Sequence, residues 1–173
     1  DIIDGNLASH GTPIRRLIES GAVPGDRFVQ IGLRGYWPEP EVIQWMKEQK
    51  MRSFMMNEIM ERGLGDVVDE AVAYSLEGGA KGIFISVDID VVDPGLAPGT
   101  GTPEPGGLNS REILDTVRRL SRELNVLGAD VVEVSPPYDG PGEQTVYLAN
   151  RIVLEILNGM AEREVEGRGK SGS

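Results

Sequence analysis

Two aspartates, Asp88 and Asp90, close an apolar, β-branched run, Ile83-Phe84-Ile85-Ser86-Val87. The run reads as a buried strand. On a strand, alternate side chains share a face, so the two carboxylates are expected to point the same way. Two like charges at a buried strand end call for a cation or a shared proton. Oxygen ligands at this density suit a hard divalent ion such as Mg, Ca or Mn. Two further residues have chemistry to offer. Glu133 ends a second apolar run, Asn125 to Val134, where a carboxylate needs a partner. That partner is either a ligand or a nearby arginine. His10, the one histidine of the chain, precedes a helix start that Thr12 can cap, with Pro13 at its first position. By itself a loop histidine is more often structural or merely exposed than catalytic.

The loop after Asp93-Pro94 is stiffened by Pro94, Pro98, Pro103 and Pro105 and freed by Gly95, Gly99, Gly101, Gly106 and Gly107. Competing motifs fail on inspection. A calcium loop counted from Asp88 needs Asp or Asn, then Gly, where Val92 and Asp93 stand. Gly169-Lys170-Ser171 echoes a phosphate loop, but the glycine required five residues earlier is Glu164. An Asp-x-Asp transferase acting on a sugar nucleotide stays open, although it leaves the Gly/Pro loop unexplained.

The string Ser86-Val87-Asp88-Ile89-Asp90, Asp93-Pro94, Ala97-Pro98-Gly99-Thr100-Gly101-Thr102-Pro103 and Gly106-Gly107 resembles the third signature of the ureohydrolase family. That family includes arginases, agmatinases and guanidinobutyrases. A string of this length has a low false-positive risk. The resemblance implies Asp88 and Asp90 as metal ligands in a site for two Mn2+ ions. It implies that His10, in His10-Gly11-Thr12-Pro13, is an active-site histidine. It also implies that Glu133 binds the substrate guanidinium. The expected reaction is hydrolysis of a small cationic guanidino compound to urea and an amine. Thr12, Gly99 and Ser135 stand where arginases resemble one another in having Met, Ala and Asn. This points to the agmatinase or guanidinobutyrase branch, with agmatine the first expectation and a guanidino acid the alternative. The family's Gly-Gly-Asp-His and Asp-Ala-His-x-Asp segments do not occur in the sequence. The chain therefore reads as the C-terminal portion of a ureohydrolase, expected to be inactive and to expose apolar sheet by itself. A non-catalytic truncated paralogue that binds family subunits is the alternative of another class. The family habit implies a homo-oligomer, a trimer or hexamer.

The elements that must position these residues follow from periodicity. Strands are expected at Arg27–Leu33, Arg52–Asn57, Ile83–Asp88 and Asn125–Val134. Helices are expected from Thr12, over Pro38–Lys50, over Glu58–Leu76 with an interruption at Gly63 or Gly65, from Asn109 or Ser110 to Arg122, and over Thr145–Met160. Arg34-Gly35-Tyr36-Trp37 falls at a strand's carboxyl end and reads as site rim, subunit contact or a packed aromatic pair. Trp45, Met46, Met55 and Met56 read as core filler. Strands alternating with helices imply an α/β, three-layer α/β/α fold with a mainly parallel sheet, arginase-like and incomplete at the N-terminus. Residues 1–160 read as a single domain portion and residues 161–173 as a polar, fraying tail.

With 173 residues, the chain is long enough for one domain with a sizeable core. Its net charge of −11 argues against nucleic acid or an anionic membrane as partner. There is no cysteine, hence no disulfide and no thiol chemistry. No run is long enough to span a bilayer and no signal peptide is visible, so a cytoplasmic location is expected.

Overall fold

The computed structural model describes residues 6–36 and 38–171, with side chains as far as Gly167. Asp1 to Gly5 and Trp37, which belong to the opening loop and the aromatic pair of the sequence reading, lie outside the described residues. In chain order the elements are α1 (Pro13–Glu19), β1 (Val29–Leu33), α2 (Pro40–Glu48), β2 (Arg52–Met55), α3 (Met56–Arg62), α4 (Leu64–Leu76), β3 (Ile83–Asp88), α5 (Ser110–Glu123), β4 (Val126–Val132) and α6 (Gln144–Ser171). Short 3-10 turns occupy Gly25–Arg27, Ile89–Val91 and Pro136–Tyr138.

All strand pairing is parallel, as the alternation of strands and helices requires. Among the described residues it is divided into two hydrogen-bonded pairs, β1 with β2 and β3 with β4. The pairs share one core: Val29 and Ile31 of β1 pack against the cluster that holds Ile85, Val87, Ile113, Val117 and Ile152. In the second pair, Asp88 stands opposite Val132. Glu133, the next residue on β4's side, therefore emerges beside Asp88. The sheet is not covered on every side. Phe84 and Leu127 are exposed, which agrees with the apolar sheet surface expected of this chain.

Helix boundaries follow local chemistry. Asn109 caps α5 in a reciprocal box: its side chain accepts from Glu112 N, and the Glu112 carboxylate accepts from Asn109 N. The long expected helix from Glu58 is two helices, broken at Gly63, whose φ of +89° suits glycine. Its start also moves, because β2 stops at Met55 and α3 begins at Met56. Met56 fills the core as expected, whereas Met55 is exposed.

Three sequence readings need correction. Thr12 occupies the cap position of α1 without a side-chain cap bond. Its buried hydroxyl instead turns back, donating to Ser9 O at 2.9 Å and accepting from Ser9 N at 2.8 Å. Tyr36 is 95% exposed and so does not pack on neighbours. Finally, α6 does not end at Met160 but continues to Ser171. Glu162, two residues past the expected end, is ion-paired with Arg118 of α5, and Arg118 also binds the buried Glu155 at 2.9 Å. These pairs carry the helix past the end of its apolar pattern.

Candidate active site

The acid pair is built at the carboxyl end of β3, where open α/β sheets place ligands. The strand reading put both aspartates on one pleated face, but β3 ends at Asp88 and Ile89–Val91 forms a 3-10 turn. The turn drives Ile89 fully into the core. It also brings the acids together by another route: Asp90 N donates to Asp88 Oδ1 at 3.2 Å. Asp90 is fixed from the other side, its Oδ2 accepting from Thr102 Oγ1 at 3.0 Å.

The electrostatics match this crowding. Burial, then the neighbouring Asp90 carboxylate, push the Asp88 carboxyl up from 3.8 to about 7, and the Glu133 charge adds to the shift. The backbone N–H of Asp90 pulls the other way and is outweighed. Glu133 thus lies within electrostatic reach of Asp88, as the strand register demands. Its backbone has φ +61°, a left-handed conformation that is uncommon for a residue with a side chain and is held only by its surroundings. His10 comes to the same edge, with Nδ1 at 3.7 Å from Glu133 Oε1. The imidazole is 78% exposed and open to an incoming molecule. The structure therefore gathers all four sequence-derived candidates: Asp88, Asp90, Glu133 and His10.

Several residues hold this arrangement through bonds that the sequence does not reveal. Asp93 closes the Gly/Pro loop on itself, accepting from Gly95 N at 2.9 Å and Gly106 N at 2.8 Å. Those N–H groups hold its carboxyl below the usual aspartate range. The neck of the loop is zipped by Leu108 N to Val91 O and Asp93 N to Leu108 O, both 2.9 Å. At this neck a Cβ on Gly107 would lie 2.5 Å from Val91 O, so only glycine fits. Asp139 accepts from Thr145 N, Thr145 Oγ1, Val146 N and Gly140 N at 2.9–3.1 Å. Burial raises its carboxyl, but these bonds together outweigh that and hold it low. Thr145 in turn accepts from Gly99 N at 2.8 Å, while Gly99 O accepts from Ser135 N at 2.7 Å. One network thus ties the loop after Asp90 to the segment after Glu133. Ser135-Pro136-Pro137-Tyr138-Asp139 held a usable signal, an aspartate shortly before a helix start.

Whether this site suits a metal is decided by its donors. Asp88 and Asp90 supply carboxylate oxygens whose mutual repulsion a divalent ion would relieve. Among the described residues no group of three or more His, Asp or Glu is arranged to enclose an ion. Two carboxylates fit as part of a hard-cation shell, not as the whole of it. No helix is long and apolar enough to cross a membrane among the described residues.

The chain is similar to known proteins over most of its length. The Arginase family pattern matches residues 2–158. The chain is 43% identical over 157 residues to the guanidinopropionase of Pseudomonas aeruginosa, covering 91% of this chain and 48% of that protein. It is 42% identical over 156 residues to the proclavaminate amidinohydrolase of Streptomyces clavuligerus, covering 88% and 47%. The solved structure of formimidoylglutamase from Bacillus subtilis superposes with a TM-score of 0.85 at 32% identity, over 92% of this chain and 49% of that one. The chain spans about half the length of the curated relatives it matches. Its acid-bearing strand, its Gly/Pro loop and the pattern over residues 2–158 establish that the chain belongs to the arginase family.

Proposed function

We propose that this chain forms part of an enzyme that hydrolyses a guanidino compound to urea and a primary amine. The observation that carries the reading is the placement of Glu133 beside Asp88 by the β3–β4 register, with His10 at 3.7 Å from Glu133. Family membership supports it.

Glu133 is suited to accept charge-assisted hydrogen bonds from a guanidinium, which offers paired N–H donors to a carboxylate. Its left-handed backbone lies directly after the β4 residue paired with Asp88. Asp88 and Asp90 would contribute oxygens to a manganese site, and each needs its charge for this. A manganese ion held there would supply Lewis acidity, which would make water a nucleophile at neutral pH. Addition of water to the guanidinium carbon gives a tetrahedral centre. Its collapse breaks one C–N bond and leaves urea. The departing nitrogen must gain a proton to leave as an amine. His10, exposed and beside Glu133, is placed to carry that proton, since imidazole changes charge near neutral pH.

Agmatine is the first substrate proposed, from the residues at Thr12, Gly99 and Ser135. A guanidino acid is the second reading, favoured by the 43% identity to a guanidinopropionase against 38% to the Gallus gallus agmatinase. Urea release from agmatine, guanidinobutyrate, guanidinopropionate and arginine by the full-length protein with Mn2+ tests both readings. Turnover of one of these is expected. Failure on all four would reject the reading.

A further inference from the structure

Arg34 lies just beyond β1, and its guanidinium is surrounded by main-chain oxygens. Nη2 donates to Asp90 O at 2.6 Å and to Glu104 O at 2.5 Å, with Val92 O at 3.5 Å. Nε donates to Glu104 O at 3.0 Å and Pro105 O at 3.2 Å, and Nη1 approaches Gly32 O at 3.5 Å. The carbonyls come from three places: the end of β1, the turn bearing Asp90, and the far limb of the Gly/Pro loop. That limb also carries Thr102, whose hydroxyl holds Asp90 Oδ2. Gly35 follows in a left-handed conformation, φ +83°, where an added Cβ would sit 3.3 Å from the Glu104 carboxylate. Arg34 thus meets the acid pair from behind, through its backbone and its loop, with no hydrogen bond to either carboxylate.

We propose that Arg34 is a positioning residue for the metal-binding acids: it fixes Asp90 and the loop bearing Thr102 in the geometry that a divalent ion requires. The planar fork is essential to this role. It reaches Asp90 O and Glu104 O from one nitrogen and Pro105 O from another, which the single ammonium of lysine cannot do. Outer groups that orient ligands typically account for 10–100-fold in metal affinity.

The inference rests on the metal-dependent reading above, and one titration separates the two. Full-length wild-type, R34K and R34Q proteins, stripped of metal, are titrated with Mn2+ while the free ion is followed by electron paramagnetic resonance. Wild-type protein that binds no Mn2+ overturns the functional reading itself. If the wild type binds, R34K and R34Q are expected to bind at least about tenfold more weakly. Raising the Mn2+ concentration should restore most of their urea release, with KM for substrate little changed. Affinity within twofold of wild type in either folded variant would overturn the positioning role. Failure of both variants to fold would overturn it too, since the residue would then serve the fold as a whole.

Discussion

His10 Nδ1 lies 3.7 Å from Glu133 Oε1, joining the loop before α1 to the end of β4. The distance exceeds a hydrogen bond, so the pair meets as neighbours sharing a space and not as a locked couple. If that space takes the guanidinium, the two residues should fail differently when changed. His10→Asn is expected to lower kcat for urea release by about 10²–10⁴-fold, the usual span for a lost proton carrier, with KM changing far less. Glu133→Gln should act mainly on kcat/KM, because it weakens a charged bond to the substrate. Steady-state kinetics on the full-length protein distinguish the two patterns; equal effects on both parameters in both variants would contradict the assignment.

The raised carboxyl of Asp88 makes stability depend on pH in a definite direction. Its folded value of about 7 lies above the ordinary 3.8, so folding of the metal-free protein takes up a proton between those values. The contribution of Asp88 is therefore fully present below about pH 4 and lost as pH rises through about 7. Relative to Asp88→Asn, metal-free wild-type protein should melt progressively lower from pH 5 to pH 8. Added Mn2+ should remove the difference by stabilising the ionised form. Thermal melts across that range check this, and a wild type that gains on Asp88→Asn with rising pH would contradict it.

Thr145 is fully buried and bonds both Gly99 N and Asp139. Thr145→Val keeps the shape but leaves the Gly99 N–H without its partner. The expected cost is about 1–3 kcal/mol, the penalty for a buried donor left unmade. Thr145→Ser, which keeps the hydroxyl, should recover most of it. Urea denaturation midpoints of the two variants measure the difference.

Gly159 lies where α6 is packed tightly against α5. A Cβ there would lie 2.5 Å from Arg118 O and 2.8 Å from Ser121 Cβ. In an exposed helix, Gly→Ala would gain roughly 0.5–1 kcal/mol. Here the helices must separate, and Gly159→Ala is expected to cost about 1–3 kcal/mol instead. The sign of the change in a denaturation series decides between the two.

The parts legible in the sequence were those fixed by short-range chemistry. Ile83–Asp88 was readable because it is apolar and ends in acids, and α5 because a capping residue, Asn109 or Ser110, precedes Ile113, Leu114, Val117 and Leu120 at helical spacing. The meeting of Asp88 with Asp90 was anticipated for the wrong reason, since a 3-10 turn and not a pleat unites them. Periodicity does not show where a strand yields to a turn when both are apolar, as at Ile89. Arg34 was legible only as a residue at a strand end. Its bonds to carbonyls of Asp90, Glu104 and Pro105 join segments far apart in the chain, and main-chain acceptors leave no trace in residue types. The helix past Met160 escaped because the ion pair of Glu162 with Arg118 depends on packing between two helices.

The most direct test is urea release by full-length Asp88→Ala, supplied with excess Mn2+ and each of agmatine, guanidinobutyrate, guanidinopropionate and arginine. Loss of release from whichever compound the wild type cleaves, in a variant that still folds, is the outcome required if Asp88 grips the metal. Urea formation at a rate near that of the wild type would contradict the account.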